Sequence, residues 1–137
     1  MSTLQVELVA ADRKVWEGEA DMVVARTVDG ELGVLPGHTP LLSSLQVGEL
    51  WYRIGQEKHY LAISFGFVEV LPDRVTVLAQ IAERAQDIDV ARAEAAKRRA
   101  EERVAKPSPD MDFERARVAL MKSLIRLQVA TRARTRA

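Results

Sequence analysis

"DIDVARAEAAKRRAEERVA", residues 87–105, divides the chain into two unlike halves. It contains neither glycine nor proline and is dominated by alanine, glutamate, lysine and arginine, all strong helix formers. Asp87 or Asp89 can cap its start, where a carboxylate also meets the positive end of the helix dipole. Glu94 and Arg98, then Arg98 and Glu102, stand four apart and support an exposed face by about 0.2–0.5 kcal/mol each. "KPSPD" at 106–110 breaks the run with two prolines. A second helix is predicted after Asp110 or Asp112. In it Phe113, Ala116, Leu120, Leu124 and Leu127 recur at helical steps as one apolar stripe. The first helix offers only Ala93, Ala96, Ala100 and Val104 in return. Such small side chains allow close approach but bury little, an alanine methyl adding well under a leucine's ~2 kcal/mol. The pair is therefore either an ordinary static hairpin or a marginal one that opens.

Before this stretch the chain reads as strands. "LQVELVA", "ADMVVARTV", "LWYRIG", "KHYLAIS", "FGFVEVL" and "RVTVLAQ" are short, β-branched or aromatic, and separated by turn residues. In the last of them Val75 and Val77 share one face, Thr76 and Leu78 the other. Pro72-Asp73 presets a turn between two strands. Many short strands at close spacing predict a sandwich or flattened barrel. The domain reading is a β body over residues 1–84 and a helical hairpin with a basic tail over residues 85–137. The stretch "GELGVLPGHTPLLSSLQVGEL" at 30–50 reads as a connecting loop or a docking edge. Leu32, Val34, Leu35, Leu41 and Leu42 are expected to anchor it, with Glu31 and His38 projecting outward.

Composition narrows the function classes. The 137 residues are 47% apolar and 29% charged, enough for one folded domain with an appendage. Cysteine is absent, which removes disulfides and thiolate chemistry. No apolar run is long enough to span a membrane and no signal peptide is visible. The zero net charge hides a gradient: residues 1–89 hold seven basic and fourteen acidic side chains, whereas residues 113–137 hold seven basic against Glu114 alone. Such asymmetry marks an interaction surface.

Catalytic patterns are missing. The two histidines, His38 and His59, are isolated, and "AISFGF" around Ser64 lacks the first glycine of a nucleophile elbow. There is no phosphate-binding glycine loop, and "DIDVARAE" lacks the sixth-position glycine of a calcium loop. No enzyme and no metal site is expected, which leaves binding, regulation or structure.

"GELGVLPGHTPLL" at 30–42, "FGFVEVLPDRVTVLA" at 65–79 and "AERAQDIDVARA" at 82–93 together resemble the epsilon-subunit family of rotary (F-type) ATP synthases, bacterial type. The similarity runs from Leu4 to about Val129 in the family's order. It implies a flattened antiparallel β-sandwich of about ten strands followed by an antiparallel two-helix hairpin. It further implies a non-catalytic rotor subunit of the central stalk. Its partners would be the gamma subunit, the ring of c subunits and the catalytic beta (and alpha) subunits. Nucleic acid is not expected, and the membrane is met only through the complex. The implied location is peripheral, on the cytoplasmic face of the bacterial cell membrane, with the plastid thylakoid as alternative.

The resemblance also assigns residues. Glu31 and His38 match the region that docks on the c-ring, where charge complementarity would fix register. The hairpin of bacterial members lies folded or extends along gamma to block hydrolytic rotation. A small seam between its helices suits such a two-state element. No cofactor is required, but ATP is implied as a regulatory ligand at Glu83, Asp89, Arg92, Arg99, Lys122 and Arg126. Arginine forks suit phosphates, and Lys122 departs from the arginine of the strongly binding pattern, keeping charge but losing the fork. Arg115, Lys122, Arg126, Arg132 and Arg134, with Arg117 and Arg136, would face an acidic segment of beta. Two other classes compete: a nucleic-acid binder using "TRARTRA", and a β-sandwich adaptor with a helical linker. Aromatic residues make up only 5%, which argues against a base-stacking platform.

Overall fold

The computed structural model describes residues 2–135, with side chains described as far as Ala133. Arg134 and Arg136 therefore lie outside the described side chains. Eight strands lead into two helices: β1 (Leu4–Ala10), β2 (Lys14–Ala20), β3 (Met22–Thr27), β4 (Gly30–Val34), β5 (Leu41–Leu45), β6 (Gly48–Ile54), β7 (Glu57–Leu71), β8 (Arg74–Arg84), α1 (Val90–Ala105) and α2 (Phe113–Thr135).

β7 and β8 make the sandwich by belonging to both of its layers. The residues that β7 gives to the core between the layers are Leu61 and Ile63, then Val68 and Val70. Side chains alternate along a strand, so the change from odd to even positions means that the strand turns over. It does so at Phe65-Gly66, where both residues have positive φ (56° and 121°). A Cβ on Gly66 would sit 2.0 Å from the Leu78 carbonyl oxygen, so only glycine fits the corner. β8 turns over in step, burying Val75, Val77 and Ala79 and then Ala82. The early part of β7 pairs with β6, and its later part with β5. One layer thus holds β2, β1, the start of β8, the end of β7 and β5. The other holds β4, β3, β6, the start of β7 and the end of β8. Between them lies a core of Leu4, Val6, Leu8, Leu50, Val68, Val70, Val75 and their neighbours. A stack of Trp16 on Tyr52 (4.0 Å) and Tyr52 on His59 (4.9 Å) joins β2 to β6 and β7. His59 is therefore a packing residue.

The two-part architecture is the expected one, with three differences of detail. The described strands number eight rather than about ten, and β1 pairs with β8 in parallel while every other pair is antiparallel. "KHYLAIS" and "FGFVEVL" are one strand, bent but not broken at the corner. β2, β4 and β5 carry no strong strand signal, being rich in glutamate, glycine and serine, and form because neighbours offer ladders.

In the stretch at 30–50, Val34 is buried and Leu32 half-buried, but Leu35, Leu41 and Leu42 are exposed and anchor nothing. Its proline and glycine instead build a turn at 35–38. His38 N–H donates to the Leu35 carbonyl (3.2 Å), with Pro36 preset and Gly37 at φ 88°.

Both helices start at the second of the two candidate caps. Asp89 accepts from Arg92 N–H (3.0 Å) and Asp112 from Arg115 N–H (3.1 Å), each contact supplying about 1 kcal/mol of helix stability. The seam between them is smaller than the predicted stripe. α1 packs on α2, and α1 buries Ala93 and Ala100 while α2 buries Ala116, Ser123 and Ala130, each set at seven-residue steps. The Ser123 hydroxyl is satisfied by donating to the Ala119 carbonyl. Phe113 and Leu124 are exposed, contrary to that stripe. The adjoining face of α2 docks on the sandwich: Ile125, Val129, Ala130 and Ala133 pack with Tyr60, Ala62, Ala85, Ile88 and, at the start of α1, Val90.

Candidate functional site

The docked hairpin is held by more than its apolar face. Glu83, at the end of β8, accepts from Arg126 Nε at 2.5 Å. Glu49 on β6 accepts from Arg132 Nε (2.9 Å) and Nη2 (3.2 Å) and from Gln128 Nε2 (3.0 Å). The Arg132 guanidinium also lies 5.0 Å from the Tyr60 ring centre, and Lys122 Nζ 5.6 Å from that of Phe65. The hydrogen bond and charge of Glu49 raise the Arg132 pKa above its ordinary value. Arg117 is engaged within its own helix by Glu114.

Four of the six residues implied as ATP ligands take part in these contacts or in capping. Glu83 and Arg126 are brought together as an ion pair, Lys122 stands over Phe65, and Asp89 caps α1. Arg92 and Arg99 are exposed, and each precedes a buried seam alanine, so they share one edge of α1. Lys122 precedes buried Ser123 in α2 in the same sense, and in an antiparallel pair those edges fall on one side of the hairpin. That side opens into a cavity of about 710 Å³ lined by Phe65, Arg103, Arg115 and Lys122. Arg92 and Arg99 do not line it, so the cationic edge is shared but the six residues do not converge on one pocket.

Glu31 and His38 stay apart. Glu31 opens β4 beside the turn from β3, and lines a groove of about 630 Å³ between the sandwich and α2. His38 follows the far end of β4, in the turn whose Gly37 N–H donates to the Pro72 carbonyl (2.7 Å). At roughly 3.3 Å per residue, about 10 Å of strand separates Glu31 from Val34 alone.

Two features escaped the sequence. Glu49 looked like one acid among many, because nothing local says that α2 returns to β6. The outer face of the β1–β8–β7–β5 layer carries Val9 opposite Leu78, Leu78 opposite Phe67, and Leu42 two residues along from Phe67's neighbour Ser44. Leu42, Phe67 and Leu78 are 68%, 54% and 51% exposed, an apolar strip across four strands. The alternation in "RVTVLAQ" already put Leu78 on the outer face and could have signalled it. Among the described residues no helix is long and apolar enough to cross a membrane, and no three acidic or histidine side chains gather as a metal site.

A β-sandwich with a helical hairpin docked on one layer and an apolar strip on the other places the chain in a class of small two-part proteins, a β-sandwich carrying a C-terminal helical appendage. The chain belongs to the ATP synthase delta/epsilon family. The family's β-sandwich domain matches residues 3–85 and its long α-helix domain residues 86–131. Chains named ATP synthase epsilon chain are close in sequence. That of Syntrophobacter fumaroxidans is 50% identical over 127 residues, covering 93% of this chain and 95% of that one. That of Halalkalibacterium halodurans is 49% identical over 133 residues, covering 96% and 100%. In fold, the chain matches a chain of the Euglena gracilis mitochondrial ATP synthase (OSCP/F1/c-ring, rotational state 1). The TM-score is 0.80 at 22% identity, covering 98% of this chain and 82% of that one.

Proposed function

We propose that the chain is a non-catalytic rotor subunit in the central stalk of a proton-translocating F-type ATP synthase, coupling c-ring rotation to ATP synthesis. The observation that carries this reading is the strip of Val9, Leu42, Phe67 and Leu78. Exposed apolar surface across four strands is costly unless a partner covers it, and it lies on the layer that the hairpin leaves bare. Gamma is the partner that the strip fits, as a permanent neighbour in the stalk. Glu31 and His38 would then meet the c-ring as two separate contacts. The hairpin would restrain ATP hydrolysis when it leaves the sandwich and presents its cations to beta. The complex would hold the chain peripherally, at the cytoplasmic face of a bacterial cell membrane or, in a plastid, at the thylakoid.

Reassembly tests this directly. Phe67→Glu with Leu78→Glu should lower recovery with gamma by about tenfold or more, since central apolar anchors dominate interfaces. The same chain should keep its fold, because both side chains point outward. Glu31→Ala with His38→Ala should instead weaken recovery of the c-ring while leaving gamma binding intact. Undiminished gamma binding by the strip variant would remove the strip from the interface, and failure of the unaltered chain to recover gamma would overturn the stalk position.

A further inference from the structure

Among the contacts that hold the hairpin down, the one at Glu49 has the geometry of a built receptor. Its carboxylate, on the outer face of β6, receives three hydrogen bonds from α2: two from the Arg132 fork and one from Gln128. Gln128 and Arg132 are four residues apart, one above the other on the helix, so both can reach a single acceptor. The Tyr60 ring, diagonal to Glu49 on the neighbouring strand, supports the guanidinium from a second side. The Glu49 side chain is only 15% exposed, whereas that of Arg132 is 43% exposed and open to competition. A bidentate fork on a carboxylate is directional in a way that a loose surface ion pair is not.

We propose that Glu49 is a latch for the C-terminal turns of α2: it fastens the docked hairpin and withholds Arg132 from any acidic partner. The latch rests on the reading that the hairpin leaves the sandwich to restrain hydrolysis. It lies outside the residues implied as ATP ligands. It is also separate from the Glu83–Arg126 pair, which grips the middle of α2. The sandwich thus offers an internal substitute for the acidic surface that these cations would otherwise seek. Weakening the substitute should strengthen the brake.

The chain has no cysteine, so dyes can be placed at Gln56→Cys in the sandwich and Ser108→Cys in the hairpin turn without background labelling. Energy transfer between them reports docking in the isolated full chain. Titrating urea to the point where about half the hairpins are released keeps the reading from saturating. Glu49→Gln and Arg132→Ala should each lower the docked-to-released ratio by about five- to tenfold, as expected for a charged bidentate contact. The double variant should lose clearly less than the sum of the two single ones, because the two groups act largely through one another. Arg132→Lys should recover only part of the ratio, since it keeps charge without the fork. An unchanged ratio in Glu49→Gln, or losses that simply add in the double variant, would overturn the latch. In the reassembled complex Glu49→Gln should deepen inhibition of ATP hydrolysis. A lowered docking ratio with unaltered hydrolysis would uphold the latch and count against the brake.

Discussion

Gly66 shows how one residue can hold a two-layer architecture together. It needs a φ of 121°, and a methyl group there would press on the Leu78 carbonyl and the Ala79 Cα, which are backbone and cannot swing aside. Gly55 provides the contrast: its φ is also positive, at 62°, but nothing lies within 4 Å of an added Cβ. Gly55→Ala should therefore cost only about 1 kcal/mol, the price of left-handed backbone. Gly66→Ala should cost about 3 kcal/mol or more, through strain and a displaced ladder between β7 and β8. Urea unfolding followed by the near-ultraviolet signal of the Trp16–Tyr52 stack would measure both. Equal losses would mean that the corner tolerates a side chain and does not set the sandwich. The sequence already held this corner: a glycine inside a strand marks a bulge or a close backbone approach. The apolar positions of β7 change parity across it, from Leu61 and Ile63 to Val68 and Val70. Read as two separate strands, that change looked like a boundary. By contrast, no residue-level signal showed that Leu41 and Leu42 would face outward, because an exposed leucine looks the same as a buried one until its strand partners are known.

The helices were legible as elements but not in their packing. Their starts and the break at 106–110 follow from caps and prolines, which act locally. The seam does not, because it is made of Ala93, Ala100, Ala116, Ser123 and Ala130, and a search for large apolar residues selected Phe113 and Leu124 instead. Small residues were chosen by close approach, and a hydroxyl could enter because Ala119 satisfies it. α2 thus turns its larger residues, Ile125 and Val129, to the sandwich, so the hairpin's attachment and its own cohesion use adjoining faces that share Ala130. A ligand that bridges α1 and α2 along their cationic edge would add cohesion where the seam supplies little. If ATP is that ligand, millimolar ATP should raise the melting temperature of the helical signal, by linkage. Arg92→Ala should abolish the shift, being exposed and free of any role in the seam. Lys122→Arg should enlarge it by restoring a phosphate fork. Calorimetry or circular dichroism at 222 nm, a wavelength of roughly helical absorption, reads the effect. No shift at millimolar ATP would remove ATP as a ligand, since linkage gives ~2.7 kcal/mol once the ligand reaches about 100 times its dissociation constant.

At the scale of the whole molecule, the two cores are separable. The main core runs from Leu4 to Ala82 along the chain, and among the described residues no helical residue contributes to it. The smaller core under α2 is the apolar attachment of the hairpin, supplemented by the carboxylates Glu83 and Glu49. Deleting residues 88–137 should therefore leave a folded sandwich that still presents Val9, Leu42, Phe67 and Leu78 to gamma. The charge gradient falls along the same division, an acidic body and a basic second helix, so docking and release exchange one set of carboxylates for another. Exposed pairs are worth only about 0–1 kcal/mol each, and several must act together to hold the hairpin against beta. At roughly 0.15 M salt their reach is ~8 Å, so inhibition should weaken as ionic strength rises. In the reassembled complex the truncated chain should relieve inhibition of ATP hydrolysis and leave proton-driven synthesis largely intact. Replacing Arg115, Lys122, Arg126 and Arg132 by alanine should relieve it in part, and should also loosen docking, because Arg126 and Arg132 serve both states. ATPase and synthesis rates with full-length, truncated and neutralised chains distinguish these effects. A hydrolysis rate unchanged by truncation would show that the helices are not the brake. Loss of synthesis together with hydrolysis would show that the sandwich alone does not make the stalk contact.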